Sequence, residues 1–200
     1  MNKQPVCIYI DNSNIFIGGK EYAKSYGEDP AAFRIDFNHF FELVTSGNSD
    51  FDEMVWAGSG DENTESMFSS LRSRGVDVII LRDTEEGESE TVDMAIQLAM
   101  YRHARKYRRN PGTMVLCTGD GKGLSREEGF LYDVTGFIDD GWQLKLFSWD
   151  AICHHGLKSL ALEKGIYEPL EKYYKAITFM QDGRKSEGLS QPNTLADNLP

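Results

Sequence analysis

Five short apolar runs separated by stretches of helical periodicity constrain this chain more than any other feature. Val6–Ile10, Met54–Ala57, Val76–Leu81, Met114–Cys117 and Trp142–Trp149 each have the length and content of a strand. Parallel strands need crossovers, and helical crossovers cover both faces of a sheet, so this order leads to an α/β fold of three layers around a mostly parallel sheet. Numbered along the chain, the five runs fit the strand order 3-2-1-4-5.

The intervening patterns agree with that layout. Phe37, Phe40, Phe41 and Val44 recur at helical spacing behind Asp36, a capping residue. Met67, Phe68 and Leu71 mark a helix stopped near Gly75. Val92, Ala95, Ile96, Ala99 and Met100 fall at i, i+3, i+4, i+7 and i+8, the clearest stripe in the chain. Ser125 and Glu128 form a capping-box pattern ahead of Phe130, Leu131, Val134, Phe137 and Ile138, and Leu157, Leu160 and Ala161 indicate a last helix ending near Gly165. The aromatic-rich stretch Ile166–Met180 keeps no clear period. From Gly183 the sequence turns polar and Pro-containing, which leads us to expect one domain over 1–182, with its core at about 5–165, and a flexible tail over 183–200.

With 40% hydrophobic residues in 200, the chain can bury one ordinary core. No apolar stretch approaches the roughly 20 residues that span a bilayer, and Met1–Pro5 lacks the charged-then-apolar pattern of a secretion signal, so a cytoplasmic protein with no membrane role is expected. Cys7 and Cys117 fall inside strand-like runs and Cys153 stands apart, which fits reduced thiols. The net charge of −11 opposes general affinity for nucleic acid, which depends on clustered cations releasing counterions. One local cluster could supply them: Arg102, Arg105, Lys106, Arg108 and Arg109, with His103 and Tyr107 interleaved. A helix C-terminus also favours cations through its dipole, with no ligand involved.

Ligands of parallel sheets bind outside the carboxyl ends of the strands, where strand order reverses. Asp11 follows the first strand, and Asp120 follows the fourth after Thr118 and Gly119, so the expected order sets these carboxylates opposite one another. Asp93 falls in the expected first turn of the striped helix, where helix-dipole stabilisation is the simpler explanation if it is taken alone. Asp11 and Asp120 can likewise be turn or capping residues. As a set, converging carboxylates suit a hard cation such as Mg²⁺ or Mn²⁺, whose matching chemistry is in-line phosphodiester hydrolysis.

Tyr9-Ile10-Asp11-Asn12-Ser13-Asn14 resembles the D-x-x-N opening of the NYN domain family of PIN-like, metal-dependent ribonucleases. Glu90-Thr91-Val92-Asp93-Met94-Ala95 resembles that family's V-D-x-A helix start, and Thr118-Gly119-Asp120-Gly121 its S/T-G-D segment, over roughly residues 5–165. The resemblance implies a PIN-like fold of Rossmann-like order and a metal-dependent ribonuclease in which Asp11, Asp93 and Asp120 hold the cation. It also implies that Asn14 orients Asp11 or contacts substrate, and that Thr118 bonds a neighbouring carboxylate or a metal-bound water. RNA is the implied partner, with a protein partner or a homodimer left open. The sequence departs from the family at Lys122, where a second acid is common. Lys122 either weakens metal binding, neutralises the site as a tethered cation, or contacts a phosphate.

Two other functions compete. A haloacid-dehalogenase-like phosphatase would also end a strand in Asp, but its general acid belongs at the position of Ser13. A binding module that keeps the fold and has lost turnover fits Lys122. Cys153, His154 and His155 lack zinc-like spacing, the acidic run Glu85–Glu90 reads as a solvated loop, and Tyr167, Tyr173, Tyr174 and Phe179 read as docking aromatics.

Overall fold

Ile8 and Ile10 enter one hydrophobic cluster while Cys7 and Tyr9 enter another, and all four are fully buried. A strand buried on both sides belongs in the middle of a sheet covered twice. The computed structural model of the chain describes residues 3–47, 50–59, 65–81, 88–121 and 129–189. Along these run β1 (Val6–Asp11), α1 (Asn12–Ser25), β2 (Phe33–Ile35), α2 (Phe37–Val44), β3 (Glu53–Ser59), α3 (Glu65–Ser73), β4 (Asp77–Leu81) and α4 (Glu88–Tyr107). There follow β5 (Thr113–Cys117), α5 (Phe130–Asp139), β6 (Gln143–Ser148), α6 (His155–Lys164), β7 (Ile166–Pro169), α7 (Tyr174–Ile177) and β8 (Thr178–Met180).

Six strands form one parallel sheet in the order β4-β3-β1-β5-β6-β7. The five strands expected from the sequence are neighbours as expected, and the difference is a sixth, β7, at the edge. It is short, half-buried and ends at Pro169, a residue that an edge tolerates because no partner needs its missing N–H. Side chains of α1, α2 and α7 pack into the cluster on one face, and those of α4, α5 and α6 into the cluster on the other. The order reverses between β1 and β5, where Ile10 is in register with Cys117.

Helix α1 has no apolar stripe to announce it, and it carries Gly18 and Gly19 at its centre. A Cβ on Gly18 would lie 2.5 Å from Trp149 Cδ1 and 2.4 Å from Ile152 Cδ1, and one on Gly19 would lie 2.3 Å from Phe33 Cζ. The glycines weaken the helix locally but let it sit against the residues that follow β6.

The stretch after β7 becomes a clasp. Leu170, Tyr174 and Ile177 are buried, and β8 pairs antiparallel with β2. Tyr174 packs among Tyr22, Tyr26, Phe33 and Trp149, the docking expected of these aromatics. Past Gly183 the described residues 184–189 are bonded to the domain. Arg184 pairs with Glu28 at 2.9 Å, Ser186 donates to Asp36 at 2.5 Å, and Leu189 packs on the core. Residues 190–200 lie outside the described residues, as do Lys122 and the Ser125/Glu128 capping pair; the described part of α5 starts at Phe130, behind Gly129. Among the described residues no helix is long and apolar enough to cross a membrane.

Candidate active site at the carboxyl edge of β1 and β5

Asp11 is the last residue of β1 and the N-cap of α1, so one side chain closes the strand and opens the helix. Its Oδ1 accepts the Asn14 amide at 2.9 Å and its Oδ2 accepts the Thr118 hydroxyl at 3.0 Å. Thr118 Oγ1 in turn accepts the Asp120 amide at 3.1 Å, and Asn14 Oδ1 accepts the Gly119 amide at 2.6 Å. Two of these bonds, Thr118 to Asp11 and Gly119 to Asn14, join the turn after β1 to the turn after β5 at the switch point, and the other two brace each turn internally. Thr118 donates to the Asp11 carboxylate, and Asn14 accepts from the facing turn.

Gly119 and Gly121 have no room for a side chain. A Cβ on Gly119 would lie 3.0 Å from Ser148 Oγ and 3.1 Å from Asn14 Oδ1, and one on Gly121 would lie 2.6 Å from His154 Nδ1. His154 caps α6, and its amide donates to Gly119 O at 2.8 Å. Reasoning from sequence leaves His154 out of the site, since no periodicity or spacing ties residue 154 to residue 121; only the seating of α6 against the turn does.

Asp11 is 3% exposed, and burial pushes its pKa up to about 6, the nearby charge of Asp120 adding to the rise while the Asn14 amide and the Thr118 hydroxyl oppose it. Among the described residues, no positive charge compensates the carboxylate. Asn12 Oδ1, one residue on, is buried with no hydrogen-bond partner. An under-compensated carboxylate with a second carboxylate near it is the kind of oxygen pair a hard cation takes, while the Asn12 side chain lies against Gly58 of β3.

Asp93 is half-buried on α4 and engaged in an interaction of its own. Because α4 begins at Glu88, Asp93 sits in the second turn rather than the expected first, where stabilisation by the helix dipole has largely faded. Among the described residues no three His, Cys, Asp or Glu side chains are gathered closely enough to hold a metal. Asp11 and Asp120 lie near enough for the charge of one to act on the other, and Asp93 does not join them in a closed cage among the described residues. The same holds for Cys153, His154 and His155.

The NYN domain model matches residues 5–130, which takes in all three acids and the turn after β5. The chain belongs to the NYN domain family. No curated protein and no solved structure matches it. The NYN assignment places the chain among PIN-like nucleases, a family that typically uses divalent metals, and the parallel sheet with helices on both faces agrees with that fold.

The basic cluster stands elsewhere. Helix α4 crosses back from β4 to β5, so its C-terminal end lies at the amino edge of the sheet. There Lys106 pairs with Glu53, the first residue of β3, and Tyr107 donates to the same carboxylate at 2.9 Å. His103 Nδ1 lies 3.0 Å from the Tyr9 hydroxyl. Arg105 follows Asp93 by twelve residues, about 18 Å along the helix axis. Arg102, Arg105, Arg108 and Arg109 thus belong to the pole opposite Asp11 and Asp120.

Proposed function

We infer that this NYN protein hydrolyses RNA phosphodiester bonds at the carboxyl edge of β1 and β5, using Mg²⁺ or Mn²⁺ held by Asp11 and Asp120 with Asp93 completing the acid set. The observation that carries this reading is the buried Asp11 carboxylate, tied through Thr118 to the Asp120 turn and, among the described residues, without a positive partner. Two or three carboxylates suffice for Mg²⁺, which keeps waters and takes further oxygens from substrate phosphate, so the missing closed cage does not count against it. When bound, such a cation activates water and offsets charge on the leaving oxygen.

The chain's own residues do the positioning. Asn14 and Thr118 hold the Asp11 carboxylate and the backbone of the Gly119-Asp120 turn in one geometry. Gly119 and Gly121 let the turn pack closely against Asn14, Ser148 and His154, which fixes the backbone that carries Asp120. Cytoplasmic RNA is the substrate class this reading takes.

A binding module without turnover is favoured by one observation, the Lys122 that stands where the family commonly has an acid. Incubating the protein with structured and single-stranded RNAs in Mn²⁺, Mg²⁺ or chelator separates the two. The nuclease reading expects cleavage that chelator abolishes and Asp120→Asn removes; RNA retained uncut in every condition rejects it.

A further inference from the structure

Among the described residues, Met94, Leu98 and Tyr101 are 67%, 51% and 50% exposed on α4, and Tyr132 on neighbouring α5 is 50% exposed. At 100° per residue the three α4 side chains fall within about 60° of arc, and Arg105 continues the same line. The opposite side of α4, with Val92, Ile96, Ala99 and Met100, is already buried on the sheet. The helix is therefore apolar on its core face and again on its outward face, where a surface helix ordinarily turns polar. Tyr101 OH and Gln97 both hold Asp133 of α5, at 2.7 and 2.6 Å, so the face is rigid across the two helices.

The charge along α4 indicates what covers this stripe. The helix sequence opens on Glu88, Glu90 and Asp93 and closes on Arg102, Arg105 and Lys106, with Arg108 and Arg109 just beyond. An interface about a twofold axis must be self-complementary. Two copies of α4 laid antiparallel about Leu98 meet that condition, since the acidic end of each faces the basic end of the other and the apolar stripes meet between them. A parallel pairing would set like charges together. An RNA strand could stack on Tyr101 and Tyr132 and pair with Arg105, but it would leave Met94 and Leu98, the two most exposed side chains of the stripe, without a polar partner to meet.

We propose that the chain forms a twofold dimer through the outer face of α4, each protomer lending its basic helix end to the carboxylate pole of its partner. The dimer rests on the stripe and the charge gradient alone; the second clause rests on the reading of Asp11 and Asp120 as a nuclease site. It explains how a chain of net charge −11 carries its cation cluster at the pole away from its own acids. Antiparallel pairing places that cluster beside the partner's Asp93.

Sedimentation and light scattering of the full chain test the dimer without reference to activity. Parent protein at twice 22.6 kDa, reduced to the single mass by Leu98→Glu with an unchanged circular-dichroism spectrum, is the expected result. Leu98→Cys, next to the axis, should link two chains under copper–phenanthroline oxidation, while Leu162→Cys, on exposed α6, should not. A monomeric parent overturns the proposal, as does a dimer that Leu98→Glu leaves intact and Leu98→Cys fails to link. A monomer that loses RNA binding on Leu98→Glu would make the stripe an RNA surface instead. For the second clause, Arg105→Ser/Arg108→Ser chains are mixed with Asp11→Asn chains. Cleavage above that of either variant alone supports charge given in trans, and none from an intact mixed dimer of an active parent refutes it.

Discussion

Asn14 Oδ1 accepts the backbone amide of Gly119 at 2.6 Å, joining the first turn of α1 to the turn that carries Asp120. Asn14→Ala should cost about 1–2 kcal/mol of stability, since a buried N–H loses its acceptor. It should also release the Asp120 turn, so that metal affinity falls although no proposed ligand is altered. Chemical denaturation and Mn²⁺ titration of the same variant check both halves. Lost stability with unchanged metal affinity would make Asn14 a purely structural clamp.

Asp11 makes stability fall as pH rises. Its pKa stands near 6 in the folded chain against an ordinary 3.8, so between about pH 4 and 6 the folded state holds more protons than the unfolded one. The folded state is then penalised above that window, by up to about 3 kcal/mol. Asp11→Asn keeps a capping side chain and should raise the metal-free melting temperature at pH 7 while changing little at pH 4. Melting curves in chelator at the two pH values decide it; equal shifts at both would show that the charge of Asp11 is not what destabilises.

Gly19→Ala should destabilise by about 1–3 kcal/mol, because the added methyl runs into Phe33 and Trp149, whereas alanine would otherwise favour a helix. Urea denaturation measures it. A stabilised variant would mean that α1 sits further from β6 than described.

Changing Arg105, Arg108 and Arg109 together to Ser should weaken RNA association and reduce its dependence on salt, leaving metal affinity nearly unchanged. Lys106 is best left in place because it is already paired with Glu53. Equal RNA affinity of parent and variant across a salt series would assign these cations to the helix end alone.

The central strands, their neighbours and the facing of Asp11 and Asp120 are legible in the sequence because burial on both faces writes continuous apolar runs, and strand ends follow from them. Helix α1 is not, since it has no apolar stripe and its Gly18 and Gly19 find their packing against Trp149, Ile152 and Phe33 only in the fold. The clasp from Leu170 to Leu189 is hidden for a different reason. Its order comes from distant partners such as Glu28 and Asp36, which no local period reveals. His154 likewise reaches the site through the placement of α6, and the distance between the basic cluster and the acids follows from the direction of α4 rather than from spacing.

The most direct test of the account is calorimetric titration of Mn²⁺ into the parent, Asp11→Asn and Asp120→Asn. The account predicts a site in the parent that either substitution weakens at least tenfold, with each metal-free variant as stable as the parent or more so. Equal Mn²⁺ affinity in all three proteins would contradict it, leaving Asp11 as a helix cap and Asp120 as a turn residue.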